Sequence, residues 1–303
     1  GGVMPSFKNS FTGERKAVLN DSLTLAGFAH DVSGKDWVCY PHIKVICDAL
    51  MELMFGTEYD NLLIMCPPRH GKSFCCSYYF PTFYLGSKPD DRVILTTYNT
   101  EFAEEWGGLT KGLFAECGPK YFGNSLDADR GAIGNWKIAG TVNGGMLATG
   151  INSGITGKGA NLLIVDDPIS CYEEASSETQ RRRTWNNFVS VCMYRRQKGA
   201  KAAMLYTPWH DDDIGQTVMK LGAEGSIKPW KIIRMPAIAE SQEERDEWAE
   251  EFGLPLGQPD LIGRKEGEPL CPELMPLDQM LDVRAYDPEH FESLFQGRPK
   301  RRG

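Results

Sequence analysis

The stretch Leu62–Ser73 constrains this chain more than any other. An apolar run, Leu62-Leu63-Ile64-Met65, leads into Cys66-Pro67-Pro68-Arg69-His70-Gly71-Lys72-Ser73, and a helical pattern over Lys72–Leu85 follows at once. A strand, a tight loop and a helix in that order make a phosphate-binding loop, in which backbone N–H groups and a helix N-terminus cradle phosphates. Under that reading Pro68, Arg69, His70, Gly71, Lys72 and Ser73 form an ATP-binding loop. Lys72 reaches the β- and γ-phosphates, the Ser73 hydroxyl binds Mg²⁺, and Gly71 lets the backbone approach without a Cβ. Cys66 stands where the usual pattern has its first glycine. The bland alternative is a chance Gly-Lys-Ser between strand and helix.

A second element weighs against chance. Asn161-Leu162-Leu163-Ile164-Val165-Asp166-Asp167 is an apolar strand ending in two carboxylates before Pro168. This has the form of a Walker B strand: Asp166 holds Mg²⁺, and Asp167 orients and deprotonates the attacking water. Adjacent strand residues point to opposite faces, so the turn at the strand end must bring both carboxylates to the nucleotide. A solvated Asp-Asp-Pro turn is the alternative. A third strand, Lys201–Thr207, ends in a hydroxyl suited to sensing the γ-phosphate. Asp211-Asp212-Asp213 follows and opens a helix, where negative charge complements the dipole, so it reads as a cap rather than a nuclease metal site.

Further strands are expected at Asn61–Cys66, Arg92–Tyr98, Asn161–Val165 and Trp230–Met235, and helices at His42–Phe55, Thr100–Glu116, Ser177–Tyr194 and Asp211–Leu221. Apolar strands separated by helices predict an α/β fold, a mostly parallel sheet covered on both faces. Residues 118–160 are Gly-rich and predict short strands or a loop. From about Ala239 the composition turns to Glu, Pro and Gly, which predicts a small lid or linker subdomain over 239–303 after a core over 4–238. Gly1-Gly2-Val3 before Met4 reads as a cloning remnant. The chain has 303 residues and nine cysteines without CxxC spacing, which suits buried thiols better than disulfides or a metal cluster. A net charge of −8 excludes a wholly nucleic-acid-coated surface but leaves room for a local basic strip. No apolar run reaches the ~20 residues that cross a bilayer.

Taken together, Pro-Pro-Arg-His-Gly-Lys-Ser, then Gly157-Lys158-Gly159-Ala160 before Leu-Leu-Ile-Val-Asp-Asp-Pro, then Thr-Pro-Trp-His-Asp-Asp-Asp, resemble the ATPase region of phage large terminases. Pro41-His42 upstream and Phe291…Phe295-Gln296-Gly297-Arg298-Pro299 near the end extend the resemblance over about residues 37–299. It implies a P-loop NTPase of the additional-strand (ASCE) class, using ATP and Mg²⁺. It further implies a homo-oligomeric ring on the procapsid in the host cytoplasm, with double-stranded DNA, the portal protein and the small terminase subunit as partners. Family members usually carry a nuclease domain after this region; the chain ends at Arg301-Arg302-Gly303, so that domain is expected to be absent. Arg69 resembles the family's P-loop arginine. Pro208 and Lys158 stand where the family often has arginine.

The candidates for a finger reaching a neighbouring subunit are Arg130, Lys158 and the Arg181–Arg183 run. Residues 181–201 hold seven Lys or Arg and no Asp or Glu. On one helix, Arg181, Arg182 and Arg183 would lie roughly 20 Å from Arg195, Arg196, Lys198 and Lys201. Such a strip fits a DNA backbone or a subunit contact equally well. His42, with Trp37 and Tyr40, fits either an ATP contact beside the adenine or a buried structural cluster. The rivals are a helicase-like translocase, which needs a second lobe, an inactive P-loop assembly module, and a small-molecule kinase.

Overall fold

A computed structural model describes residues 23–34, 36–154 and 157–299. The expected remnant at residues 1–3 and the last residues 300–303 lie outside the described residues. Among the described residues eight strands form one sheet: β1 (Asn61–Met65), β2 (Arg92–Thr97), β3 (Leu126–Ala132), β4 (Asn135–Ile138), β5 (Gly145–Gly150), β6 (Ala160–Asp166), β7 (Arg196–Leu205) and β8 (Lys231–Arg234), in the spatial order β3-β4-β5-β2-β6-β7-β1-β8. The pairs β1–β7, β1–β8, β2–β5, β2–β6 and β6–β7 are parallel; β3–β4 and β4–β5 are antiparallel. One strand, β7, therefore separates the phosphate-loop strand β1 from the acidic strand β6.

The helices are α1 (Leu25–Val32), α2 (Pro41–Phe55), α3 (Phe80–Ser87), α4 (Thr100–Cys117), α5 (Tyr172–Ser176), α6 (Glu178–Asn187), α7 (Ile214–Ala223), α8 (Gln242–Glu251), α9 (Leu277–Tyr286) and α10 (Pro288–His290). Local chemistry sets their starts. Pro41 opens α2, where its missing N–H has no intrahelical partner to lose. Asn99 caps α4 by accepting from the Phe102 N–H at 2.8 Å.

Strand periodicity divides the core in two. Leu62 and Ile64 of β1 face a cluster with Ile46, Leu50, Phe80, Phe83 and Phe114 from α2, α3 and α4. Leu63 and Met65 face the other side, with Phe188, Val218 and Met219. A small third cluster, Ala237, Met275, Met280 and Phe291, gathers the tail.

The structure departs from the sequence reading at three places. The helix over Lys72–Leu85 begins with a π-helical turn, Phe74–Tyr79, before α3. The helix over Ser177–Tyr194 stops as α6, continues as a π-turn and one 3₁₀ turn, and ends at Arg195. From Arg196 the chain is strand β7, which starts five residues earlier than its apolar pattern suggests. The single basic helical strip is thus a correction: Arg196, Lys198 and Lys201 lie on a strand. Lys201 pairs with Asp60 at 2.8 Å, Arg182 with Glu178 at 2.5 Å and Arg181 with Asp212 at 3.6 Å.

Candidate active site at the carboxyl edge of the sheet

Strands β1, β6 and β7 all end at the same edge of the sheet, the edge where open α/β sheets take their ligands. After β1 the chain turns through Pro67–Gly71. Arg69 has φ 61° and Gly71 φ 80°, flanking His70. Such an alternation points successive N–H groups inward and makes an anion-binding concavity. Arg69 is exposed at the turn. Holding a residue with a Cβ at positive φ costs about 1–3 kcal/mol, a strain concentrated at functional sites. Cys66 has no positive φ, so this position does not require the glycine of the usual pattern; its thiol is buried, and burial pushes it up to about 12.

Two buried histidines hold the loop from beneath. His42 Nε2 donates to the His70 carbonyl at 2.8 Å, and His70 Nδ1 donates to the Pro68 carbonyl at 2.8 Å. Burial lowers both rings, His70 to about 4, so both are neutral at pH 7. His42 has no exposed surface, which corrects its reading as an ATP contact: it props the loop.

The acidic pair meets the loop directly. Asp166 is fully buried; its carboxylate accepts from Ser77 Oγ at 2.7 Å and from Ser73 Oγ at 3.2 Å. Burial, then the charge of Asp167, pushes it up to about 6, while the two serines and Lys72 act the other way. Asp167 has φ 42°. This left-handed turn is how two consecutive carboxylates reach one site rather than opposite faces. Asp167 Oδ1 accepts from Thr207 Oγ1 at 2.8 Å, and Oδ2 lies 3.4 Å from Lys72 Nζ. Lys72 is buried, which opposes its charge, but Asp167, with Cys66 and Asp166, holds its ammonium above the ordinary value.

Beyond Thr207 the chain is fixed on two sides. Asp213 caps α7 and accepts from the Trp209 and His210 N–H groups at 3.0 and 3.1 Å and from the Tyr206 hydroxyl. The expected cap at the three aspartates is thus centred on Asp213. Ser293 Oγ donates to the Pro208 carbonyl at 2.7 Å, and the His290 ring sits 6.3 Å from that of Trp209. The strand end carrying Thr207 is therefore joined to the tail.

Lys158 is elsewhere. It precedes β6, at the amino edge, and β6 rises about 3.3 Å per residue, so roughly 20 Å of strand separates it from Asp166. Arg130 lies in β3, and its side chain is outside the described residues. Ser77 was not legible as a site residue. Its one signal is its place four residues after Ser73, the spacing that puts two side chains on one helix face.

The sheet order, with one strand between the phosphate loop and the acidic strand, defines a P-loop NTPase of the additional-strand class. Residues 63–299 match the family "Terminase large subunit, T4likevirus-type, N-terminal", and the chain belongs to that family. Among solved structures it is similar to the HK97 bacteriophage large terminase, with a TM-score of 0.49 and 11% identity over 82% of this chain and 48% of that one. It thus spans about half of that protein's length. A DNA replication initiation factor matches with a TM-score of 0.34 and 14% identity over 91% of this chain and 67% of that one. No curated protein matches. Among the described residues no helix is long and apolar enough to cross a membrane.

Proposed function

We propose that this chain is the ATP-hydrolysing motor module of a viral large terminase, driving double-stranded DNA into a procapsid. The observation that carries the reading is the convergence of Lys72, Ser73, Asp166, Asp167 and Thr207 at one sheet edge beside an inward-turned loop.

The donors suit Mg²⁺, which prefers hard oxygen ligands and binds through one or two carboxylates with phosphate and water. Ser73 and Asp166, whose side chains meet at 3.2 Å, would be the chain's ligands for the metal. When bound, the metal supplies neutralisation of the charge building on the phosphate oxygens. Lys72 binds the β- and γ-phosphates. Its ammonium faces Asp167 at 3.4 Å; a phosphate drawing that charge away would leave Asp167 free to accept a proton from water. Thr207 holds the Asp167 carboxylate in place and passes loss of the γ-phosphate, through Pro208 and Ser293, to a tail that acts as the lid. Arg69 at the loop apex meets the γ-phosphate from the same subunit. Lys158, at the opposite edge of the sheet, does not reach the site of its own subunit. The partners of this reading are the portal protein, the small terminase subunit and other copies of the chain in a ring.

The test is ATP turnover measured across a wide range of protein concentration, with and without duplex DNA. Turnover that rises more than linearly and responds to DNA is the expected result. Nucleotide binding without turnover under every condition would instead favour an assembly module.

Ser77→Ala gives a narrower check. Hydrogen bonds to a charged group are worth about 1.5–3 kcal/mol, so the Mg²⁺ concentration for half-maximal turnover should rise about tenfold or more. Affinity for ATP in EDTA should stay within about twofold. An unchanged Mg²⁺ requirement would show that Ser77 does not position Asp166.

A further inference from the structure

The site above uses the carboxyl edge of the sheet, yet the amino edge carries an unbalanced charge. Lys137 of β4 and Arg92 of β2 both lie opposite Gly145 of β5, so the three form one row across neighbouring strands. Strand spacing is about 4.8 Å, which puts the two cations roughly 10 Å apart. Side chains in one row project from the same face. That face is opposite the one on which Met146 and Ala148 of β5 pack in the core with residues of α4. Leu147 and Thr149, on the row's own face, remain half-buried, and Asn135 is exposed. Lys158, leading into β6, lies close by: burial first, then the charges of Arg92 and Lys137, lower its ammonium.

Several buried or half-buried cations elsewhere sit beside carboxylates: Lys201 with Asp60, Arg234 and Arg298 with Glu240, Arg264 with Asp260. Others, such as Lys120, Lys231 and Lys265, are exposed and stand apart from one another. Among the described residues, none of Arg92, Lys137 and Lys158 forms an ion pair with a carboxylate, although the chain as a whole carries a charge of −8; Lys137 Nζ donates to the Val142 carbonyl at 3.3 Å. Half-burying three mutually repelling cations is unfavourable unless an anion completes the site.

We propose that Arg92, Lys137 and Lys158 form a phosphate-binding surface that takes the backbone of double-stranded DNA. The inference rests on the motor reading for the choice of DNA. The three cations stand at the amino rim of the sheet, just beyond Ile94 and Leu147, which pack into the core on that side. Point charges of this kind contact phosphates and carry no sequence information. It is distinct from the basic run over 181–201, which the structure divides between α6 and β7 and in which Arg181, Arg182 and Lys201 already sit beside carboxylates.

The test is duplex binding without nucleotide, followed by fluorescence anisotropy over a range of salt. The variant carries Arg92→Ala, Lys137→Ala and Lys158→Ala; a charge-matched control carries Lys120→Ala, Lys231→Ala and Lys265→Ala, all at exposed positions. The first set should weaken binding about tenfold or more and reduce the salt slope by about 1 per cation removed; the control should do much less. Exchanging Lys for Arg and Arg for Lys at the three positions should restore binding. Equal effects of both sets, or none, would overturn the proposal. So would unchanged DNA binding with loss of the steep concentration dependence of ATP turnover, because the anion would then be a phosphate on a neighbouring copy. Because DNA binding is read without ATP, a failed ATPase reading leaves a separate signature.

Discussion

Asp167→Asn is expected to lower ATP turnover by about 10²- to 10⁴-fold, the usual contribution of a positioned general base. The substitution keeps the shape of the side chain, and its amide oxygen can still accept from Thr207 Oγ1, now 2.8 Å from Oδ1. What it removes is the charge facing Lys72 at 3.4 Å. Lys72 then meets a nucleotide phosphate without a competing carboxylate, so affinity for ATP should be unchanged or tighter. Equilibrium ATP binding beside single-turnover hydrolysis separates the two effects. Hydrolysis within about tenfold of wild type would remove Asp167 from the role of base and leave Asp166 as the group to examine.

The second large effect is structural. Glu240→Ala should destabilise the fold by about 3–5 kcal/mol, the range found when one partner of a buried ion pair is removed. Glu240 receives Arg234 through both terminal nitrogens, at 2.7 and 2.5 Å, and Arg298 Nε at 2.7 Å. Arg234 also donates to the Gln296 carbonyl at 2.6 Å and stacks 4.7 Å from the Trp248 ring centre. These contacts join β8, α8 and the tail, and the loss strands a buried guanidinium. Thermal unfolding should fall by on the order of 10 °C, and Glu240→Gln should recover part of it. Burial opposes the Glu240 charge, but Arg234 and Arg298 overcome it and hold its carboxyl below the ordinary value. Its contribution is therefore complete above the ordinary carboxylate range and lost as pH falls through the depressed value. Wild type and Glu240→Ala should converge in stability in acid, and a difference as large in acid as at pH 7 would contradict the account.

What could be read from the chain follows from where the physics is local. β1, β2 and β6 are continuous apolar runs because both faces are covered, and their positions match to within a residue or so. Polar elements were not legible. α8 exposes most of its acidic residues and has little apolar periodicity; its one signal was the capping box of Ser241 and Glu244. α9 buries only Met280. The first residues of β7 are polar and sit at an exposed edge, so their sequence pattern belongs to a helix end as readily as to a strand.

The candidate site was legible by residue type but not by geometry. The insertion of β7 between β1 and β6 depends on pairings between distant segments, such as Leu63 with Met204. The positive φ of Asp167, which brings both carboxylates to one place, is set by the fold around it. Ser77 and the two histidine props became visible only once the π-turn and α2 were placed against the loop.

The most direct measurement of the central claim is an ATP titration of wild type and Lys72→Ala with Mg²⁺ present, followed by calorimetry and checked by thermal unfolding. Saturable binding by wild type, weakened about a hundredfold or more in a folded variant, is the result expected if the loop between β1 and the Phe74–Tyr79 turn holds the phosphates. Equal binding by the two proteins, or none by wild type, would contradict it.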